Sequence, residues 1–341
     1  MTAVTETAVK ALVSTPTSVT LRPRYEGSNI CTWIGFKHVN YLVEEAVLEH
    51  FRQAGLSARG LYETYGLGLD IVDLDTRILH AFHMDDEARA EVEPHTKDGD
   101  ATLGFKVTVF VDRDGETHKA VTSKVRVSLR IDTYLEAAGE VPAEVAPYTV
   151  ERLGADLAES PDVIPAEVKA AVETALAADD ATEGARDKVL AALTDGQNAF
   201  GWKWRIGYPY CHFTERIQMS GYLRQMEEAK DLFVADRGIS IKTLLDDYKW
   251  IPVVPHSKIR IVDEALMEED LYTVYTVEDV FKDFTYTSRM DCYVVRDGKL
   301  LLVETGKIVH GYAVIENRRD WSLVTFDQRV LDALGGEVRQ A

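Results

Sequence analysis

The segment Tyr25–Ser57, YEGSNICTWIGFKHVNYLVEEAVLEHFRQAGLS, has a counterpart 183 residues later in Tyr208–Ser240, YPYCHFTERIQMSGYLRQMEEAKDLFVADRGIS. An ungapped comparison finds 7 identical residues among 33 positions. Self-similarity at a fixed offset indicates a structural unit that is present twice in one chain. The identical residues of the first copy are Tyr25, Ile34, Glu44, Glu45, Ala46, Gly55 and Ser57.

The same offset relates segments far downstream. Met84–Glu87 aligns with Met267–Asp270, and Arg113-Asp114-Gly115 aligns with Arg296-Asp297-Gly298. A register that continues without insertions over about a hundred residues predicts two copies of one fold.

Each copy is predicted to have one long helix followed by about four antiparallel strands, which is an α+β fold class. Apolar residues at helical spacing define one buried stripe in each helix. Period-two alternation in Leu69–Leu74 and Phe105–Val111 predicts strands, and the Asp-Gly pairs predict hairpin turns. The helical stripes are Val39, Leu42, Val43, Ala46 and Val47 in copy one, and Tyr222, Met226, Ala229 and Phe233 in copy two.

The charge of the chain excludes several kinds of partner. The net charge is −19, which argues against nucleic acid and against an anionic membrane surface. Three cysteines without a Cys-x-x-Cys spacing suggest neither a disulfide framework nor a metal site, and we expect no cofactor. The N-terminus lacks the pattern of a signal peptide, and no long apolar run occurs, so we expect a cytoplasmic protein.

These patterns divide the chain into five segments. The segment between the copies contains 15 Asp and Glu but only 4 Lys and Arg, and a helix is predicted after Pro165. We expect a flexible arm (1–20), a first repeat domain (21–131), an acidic and partly helical connector (132–200), a second repeat domain (201–315) and a C-terminal tail with a short helix (316–341).

The motifs in both helices resemble those of the 4-hydroxybenzoyl-CoA thioesterase-like family. They are Glu44-Glu45-Ala46 with Gly55-Leu56-Ser57 in copy one, and Tyr222-x4-Glu227-Glu228-Ala229 with Gly238-Ile239-Ser240 in copy two. The resemblance implies the hotdog fold, in which a long helix is wrapped by an antiparallel sheet. The chain is therefore expected to be a fused double hotdog that acts on acyl thioesters.

The sequence departs from that family at the position of its catalytic carboxylate. The ungapped alignment places Asn29 there in copy one and His212 in copy two, and neither can act as a carboxylate nucleophile. The segment Cys211-His212-Phe213-x6-Ser220-Gly221-Tyr222 resembles a second group, the hotdog β-hydroxyacyl-carrier-protein dehydratases, in which the equivalent histidine is catalytic.

The resemblance implies two candidate sites, because hotdog pairs place the loop of one copy opposite the helix of the other. One site would combine His212 with Glu44 or Glu45, and the other would combine Asn29 with Glu227 or Glu228. Only the first contains a group that exchanges protons near neutral pH. We expect His212 to be the general base and Glu44 to assist the imidazole or to act as an acid.

The start of the second helix is the predicted position for the thioester carbonyl. Backbone N–H groups around Gln218, Gly221 and Tyr222 are expected to bind the substrate there, since the first N–H groups of a helix have no partner within the helix.

Three functions remain open at this stage. The first is hydrolysis of an acyl-CoA or acyl-carrier-protein thioester in polyketide or fatty-acid metabolism. The alternatives are a dehydratase, isomerase or cyclase acting on a similar thioester, and a non-catalytic scaffold that binds acyl thioesters. The fused pair is expected to act as a pseudo-dimer within one chain, with a homodimer as a further possibility.

Overall fold

The computed structural model describes residues 5–154, 164–178 and 187–335. The chain divides into two compact units. Unit 1 consists of Met1–Asp156 with Pro255–Lys258, and unit 2 consists of Leu157–Val254 with Ile259–Ala341.

Unit 1 has a long central helix, α2, and an antiparallel sheet. Its strands lie in the order β1-β3-β4-β5-β2, and the short β6 pairs in parallel with β5. The elements are α1 (Glu6–Ser14), β1 (Thr17–Leu21), α2 (Phe36–Gln53), α3 (Ala58–Tyr65), β2 (Leu67–Ile78), β3 (Ala88–Pro94), β4 (Leu103–Arg113), β5 (Glu116–Ile131) and β6 (Thr149–Val150).

Unit 2 repeats this plan with α6 as its central helix. Its strands lie in the order β8-β11-β10-β9-β7, and β12 pairs with β11. The elements are α4 (Ala166–Ala177), α5 (Lys188–Thr194), β7 (Ala199–Arg205), α6 (Met219–Asp236), α7 (Ile241–Tyr248), β8 (Trp250–Ile261), β9 (Asp270–Phe281), β10 (Thr285–Arg296), β11 (Lys299–Ile315), β12 (Trp321–Val324) and α8 (Gln328–Gly335).

The offset of 183 residues relates the helices of the two units residue by residue. The first and last residues of α6 are each 183 positions after those of α2, and the same is true of α7 and α3. Each central helix is followed by a glycine with positive φ, Gly55 at 83° and Gly238 at 70°. Glycine adopts this conformation readily because it has no Cβ, and it commonly ends helices. Ser57 and Ser240 then cap the next helix through their hydroxyl groups.

The strand register obeys the same offset. Val109 pairs with Val121 in unit 1, and the equivalent Cys292 pairs with Glu304 in unit 2. The register shifts directly after each of these pairs, so even the β-bulge is repeated. The predicted Asp-Gly turns are present, since Asp114, Gly115 and their counterparts all have the positive φ that a tight hairpin turn requires.

Residues 5–21 do not form the flexible arm expected from the sequence. Thr5 caps α1, and β1 pairs with β3 over its whole length. His50 in α2 holds this segment through both ring nitrogens, with Nε2 at 2.8 Å from the Leu12 carbonyl oxygen and Nδ1 at 2.7 Å from the Thr17 hydroxyl. The segment lacks a clear periodicity of its own, and its order comes from these tertiary contacts.

The described residues of the connector are divided between the units, and the described tail belongs to unit 2. The first part of the connector contains β6, which pairs with β5 in unit 1, and the second part contains α4 and α5, which pack in unit 2. The helix predicted after Pro165 is α4, and it forms an apolar cluster with α5 and the strands β9, β10 and β11. The central residues of this cluster are Val172, Val189, Leu193, Tyr272, Val274, Tyr293 and Leu300. The short helix expected in the tail is α8.

The predicted helical stripes are buried in both units, but the two cores differ in composition. The stripe of α2 from Val39 to Val47 is aliphatic, although the same helix also buries His38, Asn40 and His50. Beneath α6 the core includes the polar or ionisable residues Gln225, Lys230, Glu304 and His310.

Candidate active site

The candidate catalytic histidine lies in the loop that leads into α6. A short 3-10 turn, Tyr208–Tyr210, is followed by an irregular segment that reaches the helix start at Met219. Gly221 allows this turn to approach the helix. A Cβ at that position would lie 2.5 Å from the Tyr210 carbonyl oxygen and 2.8 Å from Ile217 Cγ1.

His212 has a backbone conformation that is uncommon for a residue with a side chain. Its φ is 45°, whereas the equivalent Asn29 is not among the residues of positive φ. Left-handed conformations cost free energy for non-glycine residues and are concentrated at functional sites. The side chain is exposed, and its Nε2 atom forms a hydrogen bond with the hydroxyl group of Ser220 in the first turn of α6.

Ser220 is the site residue that sequence reasoning missed. It is 7% exposed, so its hydroxyl group holds the imidazole from the protein side while the ring stays accessible to water. The sequence segment contained both residues. Their contact depends on the path of the seven intervening residues, which no periodic pattern specifies.

Cys211 is adjacent to His212 but is unsuited to be a nucleophile. Its side chain is fully buried and its Sγ atom lies 3.9 Å from the Gly207 carbonyl oxygen. Burial raises the pKa of this thiol to about 11. Since the thiolate is the reactive form, Cys211 is a neutral core residue at physiological pH.

The start of α6 has the features expected of a carbonyl-binding position. Gln218 is the N-cap residue, and its side chain forms no capping hydrogen bond. The first backbone N–H groups of the helix therefore depend on other partners. Tyr222 differs from the expectation for a substrate contact, because its side chain is fully buried and belongs to the apolar stripe. The backbone N–H of Tyr222 donates to the Gln218 carbonyl oxygen at 3.0 Å, and that of Gln218 donates to the Tyr210 carbonyl oxygen at 3.5 Å. The expected binding role of these two N–H groups therefore stays a prediction, and it would require both hydrogen bonds to be replaced.

The equivalent loop of unit 1 lacks an imidazole at the matching position. Asn29 is exposed, and its Oδ1 atom lies close to the N-cap residue Gly35, at 3.0 Å from where a Cβ of that glycine would be. An acid–imidazole pair occurs nearby, since His38 Nε2 lies 3.4 Å from Glu26 Oε1. This pair lowers the pKa of the Glu26 carboxyl group, through the hydrogen bond first and the charge of His38 second.

The paired glutamates of the two central helices have different surroundings. In α2, burial raises the pKa of Glu44 to about 7, the charge of Glu45 adds to this increase, and Arg24 opposes it. In α6, Glu228 is exposed and accepts a hydrogen bond of 3.0 Å from the Tyr210 hydroxyl. The pKa of Glu44 is therefore shifted toward neutral pH, as an acid catalyst would need.

Replacement of Glu44 by glutamine is expected to change how stability depends on pH. The folded state binds this proton more tightly than the unfolded state, whose pKa is near 4.5. The contribution of Glu44 to the free energy of unfolding therefore decreases as pH rises from about 4.5 to about 7. Above that range this contribution is constant. The loss is at most about 1.4 kcal/mol per pH unit.

Urea unfolding of E44Q and of the native chain at pH 5 and pH 8 measures this effect. E44Q is expected to gain stability relative to the native chain at the higher pH. E227Q, the same change at the equivalent position, is the matched control. An equal pH dependence in E44Q and the native chain would show that Glu44 is ordinarily ionised.

The two pairings expected from the sequence join residues of different units. They are His212 with Glu44 or Glu45, and Asn29 with Glu227 or Glu228, and both stay predictions. Within unit 2 the structure brings together His212, Ser220 and the start of α6.

Two further findings concern only the described residues. They contain no group of three or more His, Cys, Asp or Glu side chains placed to hold a metal ion. They also contain no helix that is both long enough and apolar enough to cross a membrane.

Two solved structures share this two-unit fold. A protein assigned as an oleoyl thioesterase from Lactobacillus plantarum is 12% identical, with a TM-score of 0.54, over 89% of this chain and 98% of its own. A 12:0-ACP thioesterase from Umbellularia californica is 9% identical, with a TM-score of 0.52, over 91% of this chain and 98% of its own. No protein-family model matches the sequence, and no curated protein is detectably similar to it.

The structure and these similarities define the class of the fold. The chain contains two hotdog units, each with a long central helix and an antiparallel sheet, and it matches two-unit thioesterase structures along nearly their entire length. At 9–12% identity the similarity shows the fold alone.

Proposed function

We propose that this protein hydrolyses acyl thioesters of coenzyme A or an acyl carrier protein, with His212 as the general base. The observation that carries the proposal is the hydrogen bond between His212 Nε2 and the Ser220 hydroxyl at the start of α6. This hydrogen bond supports the proposal because it holds an imidazole at the start of a helix, where backbone N–H groups can bind a carbonyl oxygen.

The reaction follows from this arrangement. In this mechanism Nε2–H of His212 donates to the Ser220 hydroxyl, and the unprotonated Nδ1 takes a proton from water as the water oxygen attacks the thioester carbonyl carbon. The resulting oxyanion is stabilised by N–H groups in the first turn of α6, and one such donor typically contributes about 3 kcal/mol to lowering the barrier. The C–S bond then breaks, the imidazolium returns the proton to the thiolate, and the products are a carboxylic acid and a free thiol.

The choice of hydrolysis over other thioester chemistry has one support. The structures that share the fold include proteins named as an oleoyl thioesterase and a 12:0-ACP thioesterase. A place in polyketide or fatty-acid metabolism, a cytoplasmic location and a homodimer belong to the proposal and need separate tests.

The Ser220→Ala variant is expected to lower kcat about five- to tenfold while leaving KM nearly unchanged. Its hydroxyl group fixes the imidazole, and one hydrogen bond contributes about 1 kcal/mol. The measurement is thiol release under saturating substrate. Ser18→Ala, an exposed serine of β1, is the control and should have native kinetics.

The same variant separates a positioning role from a nucleophilic one. If Ser220 were the nucleophile, S220A would be inactive and the native protein would carry an acyl group on Ser220 during turnover. Intact-mass measurement of the native protein with substrate is expected to show no such adduct.

The function itself is tested by following free thiol and acyl mass together over a panel of acyl-CoA and acyl-carrier-protein thioesters. Hydrolysis yields equal amounts of thiol and acid. Loss of water from the acyl chain without thiol release would indicate the dehydratase suggested by the His212 segment. Tight binding without any chemistry would indicate the scaffold.

A further inference from the structure

The core of unit 2 contains a polar layer that its fold does not require. At the offset of 183 residues, Lys230, His310 and Tyr312 correspond to Val47, Val127 and Leu129, which are buried in unit 1. Since unit 1 builds the same elements with aliphatic residues at these positions, the polar residues need another explanation.

Three polar atoms in this layer lack a hydrogen-bond partner among the described residues. They are Lys230 Nζ, His310 Nδ1 and Tyr312 Oη. The three residues are only 7%, 2% and 1% exposed, respectively. Buried polar groups in proteins are nearly always paired, and each unpaired group costs about 1–3 kcal/mol.

These three side chains are close to one another. Lys230 Nζ lies 5.6 Å from the centre of the Tyr312 ring. Its charge also contributes to lowering the pKa of His310, after burial, which is the larger cause. Tyr286 joins the cluster, because its ring stacks on that of His310 with centroids 4.7 Å apart.

The chemistry of the cluster favours an anionic ligand. Burial lowers the pKa of Lys230 to about 8, against the opposing charges of Asp231 and Glu227, so the side chain is mainly a cation at pH 7. The pKa of Tyr312 is raised by burial, so its hydroxyl group keeps its proton and can donate. Two hydroxyl groups lie near His310 Nε2, Ser288 Oγ at 2.8 Å and Tyr275 Oη at 3.3 Å. In the tautomer in which Nε2 accepts from one of them, Nδ1 carries the imidazole proton and is a third donor.

We propose that Lys230, Tyr312 and His310 form an internal binding site for the carboxylate group of an organic acid. Two oxygens of a carboxylate can accept hydrogen bonds from all three donors and neutralise the buried ammonium group. Two sources share this chemistry. One is a free carboxylic acid. The other is a carboxylate at the far end of the acyl chain of a thioester, and this second possibility rests on the proposed function.

Calorimetric titration of the full chain with hexanoate and with hexanol at pH 7 tests the site directly. Hexanoate is expected to bind and hexanol is not. Lys230→Met should weaken hexanoate binding at least tenfold and remain folded, because loss of a buried charge is often neutral or stabilising. Lys230→Val introduces the residue found at the equivalent position of unit 1, Val47, and is the second variant for the same measurement.

A matched control and a second assay complete the test. Lys242→Met removes an exposed lysine of α7 and should bind hexanoate like the native chain. Comparison of kcat/KM for adipoyl-CoA and hexanoyl-CoA then identifies whether the bound carboxylate belongs to a substrate or to a free acid. A kcat/KM preference for adipoyl-CoA that K230M loses assigns the carboxylate to the substrate, and hexanoate binding without such a preference assigns it to a free acid.

Three results would overturn the proposal. They are equal binding of hexanoate and hexanol, unchanged hexanoate binding in K230M, and no binding of hexanoate at all. The His212→Ala variant should still bind hexanoate, so loss of the proposed hydrolysis and loss of this site are separate outcomes.

Discussion

Replacement of His212 by alanine is expected to reduce thiol release from acyl thioesters by a factor of about 100 to 10,000. This is the usual contribution of a positioned general base. The imidazole is exposed and forms a hydrogen bond with Ser220, so its removal should leave the folded state intact. The loss should therefore appear in kcat and kcat/KM together, which indicates an interaction made in the transition state.

The control for this experiment is His95→Ala, an exposed histidine of unit 1. Circular dichroism and thermal unfolding should be the same for both variants and the native chain. If H212A released thiol at the native rate, the base would have to be another residue. Asn29→Ala, at the equivalent position of unit 1, is expected to keep most of the activity because an amide exchanges no protons near neutral pH.

Gly221→Ala is expected to have the second largest effect, and it should act on stability and activity together. The new Cβ would meet the Tyr210 carbonyl oxygen at 2.5 Å, a contact that requires the backbone of the 3-10 turn to move. Overpacking of this kind costs about 1–3 kcal/mol. The turn leads directly into His212, and a displacement of about 1 Å at a catalytic group can cost about 100-fold in rate.

Gly335→Ala is the matched control, because a Cβ at that helix end would have no atom of the described residues within 4 Å. It should be neutral or slightly stabilising, since alanine favours helix more than glycine does. A G221A variant with native stability and native kinetics would show that the 3-10 turn can accommodate the new Cβ without displacing His212.

The sequence was most informative where a pattern repeats. The offset read from Tyr25 and Tyr208 predicted both central helices, the strands that follow them and the Asp-Gly turns, and the structure has these elements in the same register. Helical and strand periodicities are properties of the local chain, so they can be read without knowledge of the fold.

The parts that could not be predicted depend on tertiary contacts. The order of residues 5–21 comes from His50, which is distant in sequence. The positive φ of His212 and its contact with Ser220 depend on the path of an irregular loop. The raised pKa of Glu44 results from burial. Helical spacing predicts only approximately how deeply a residue beside the apolar stripe is buried. The polar layer around Lys230 becomes visible only when the aligned cores are compared.

The most direct test of the account is hydrolysis in isotopically labelled water, with the native chain and H212A measured in parallel on acyl-CoA and acyl-carrier-protein thioesters. If His212 is the general base of a thioesterase, the native chain should yield free thiol together with an equal amount of acid that carries one labelled oxygen, and H212A should yield almost none. An acyl chain that gains or loses water while its thioester bond stays intact, or labelled acid produced equally by both proteins, would contradict it.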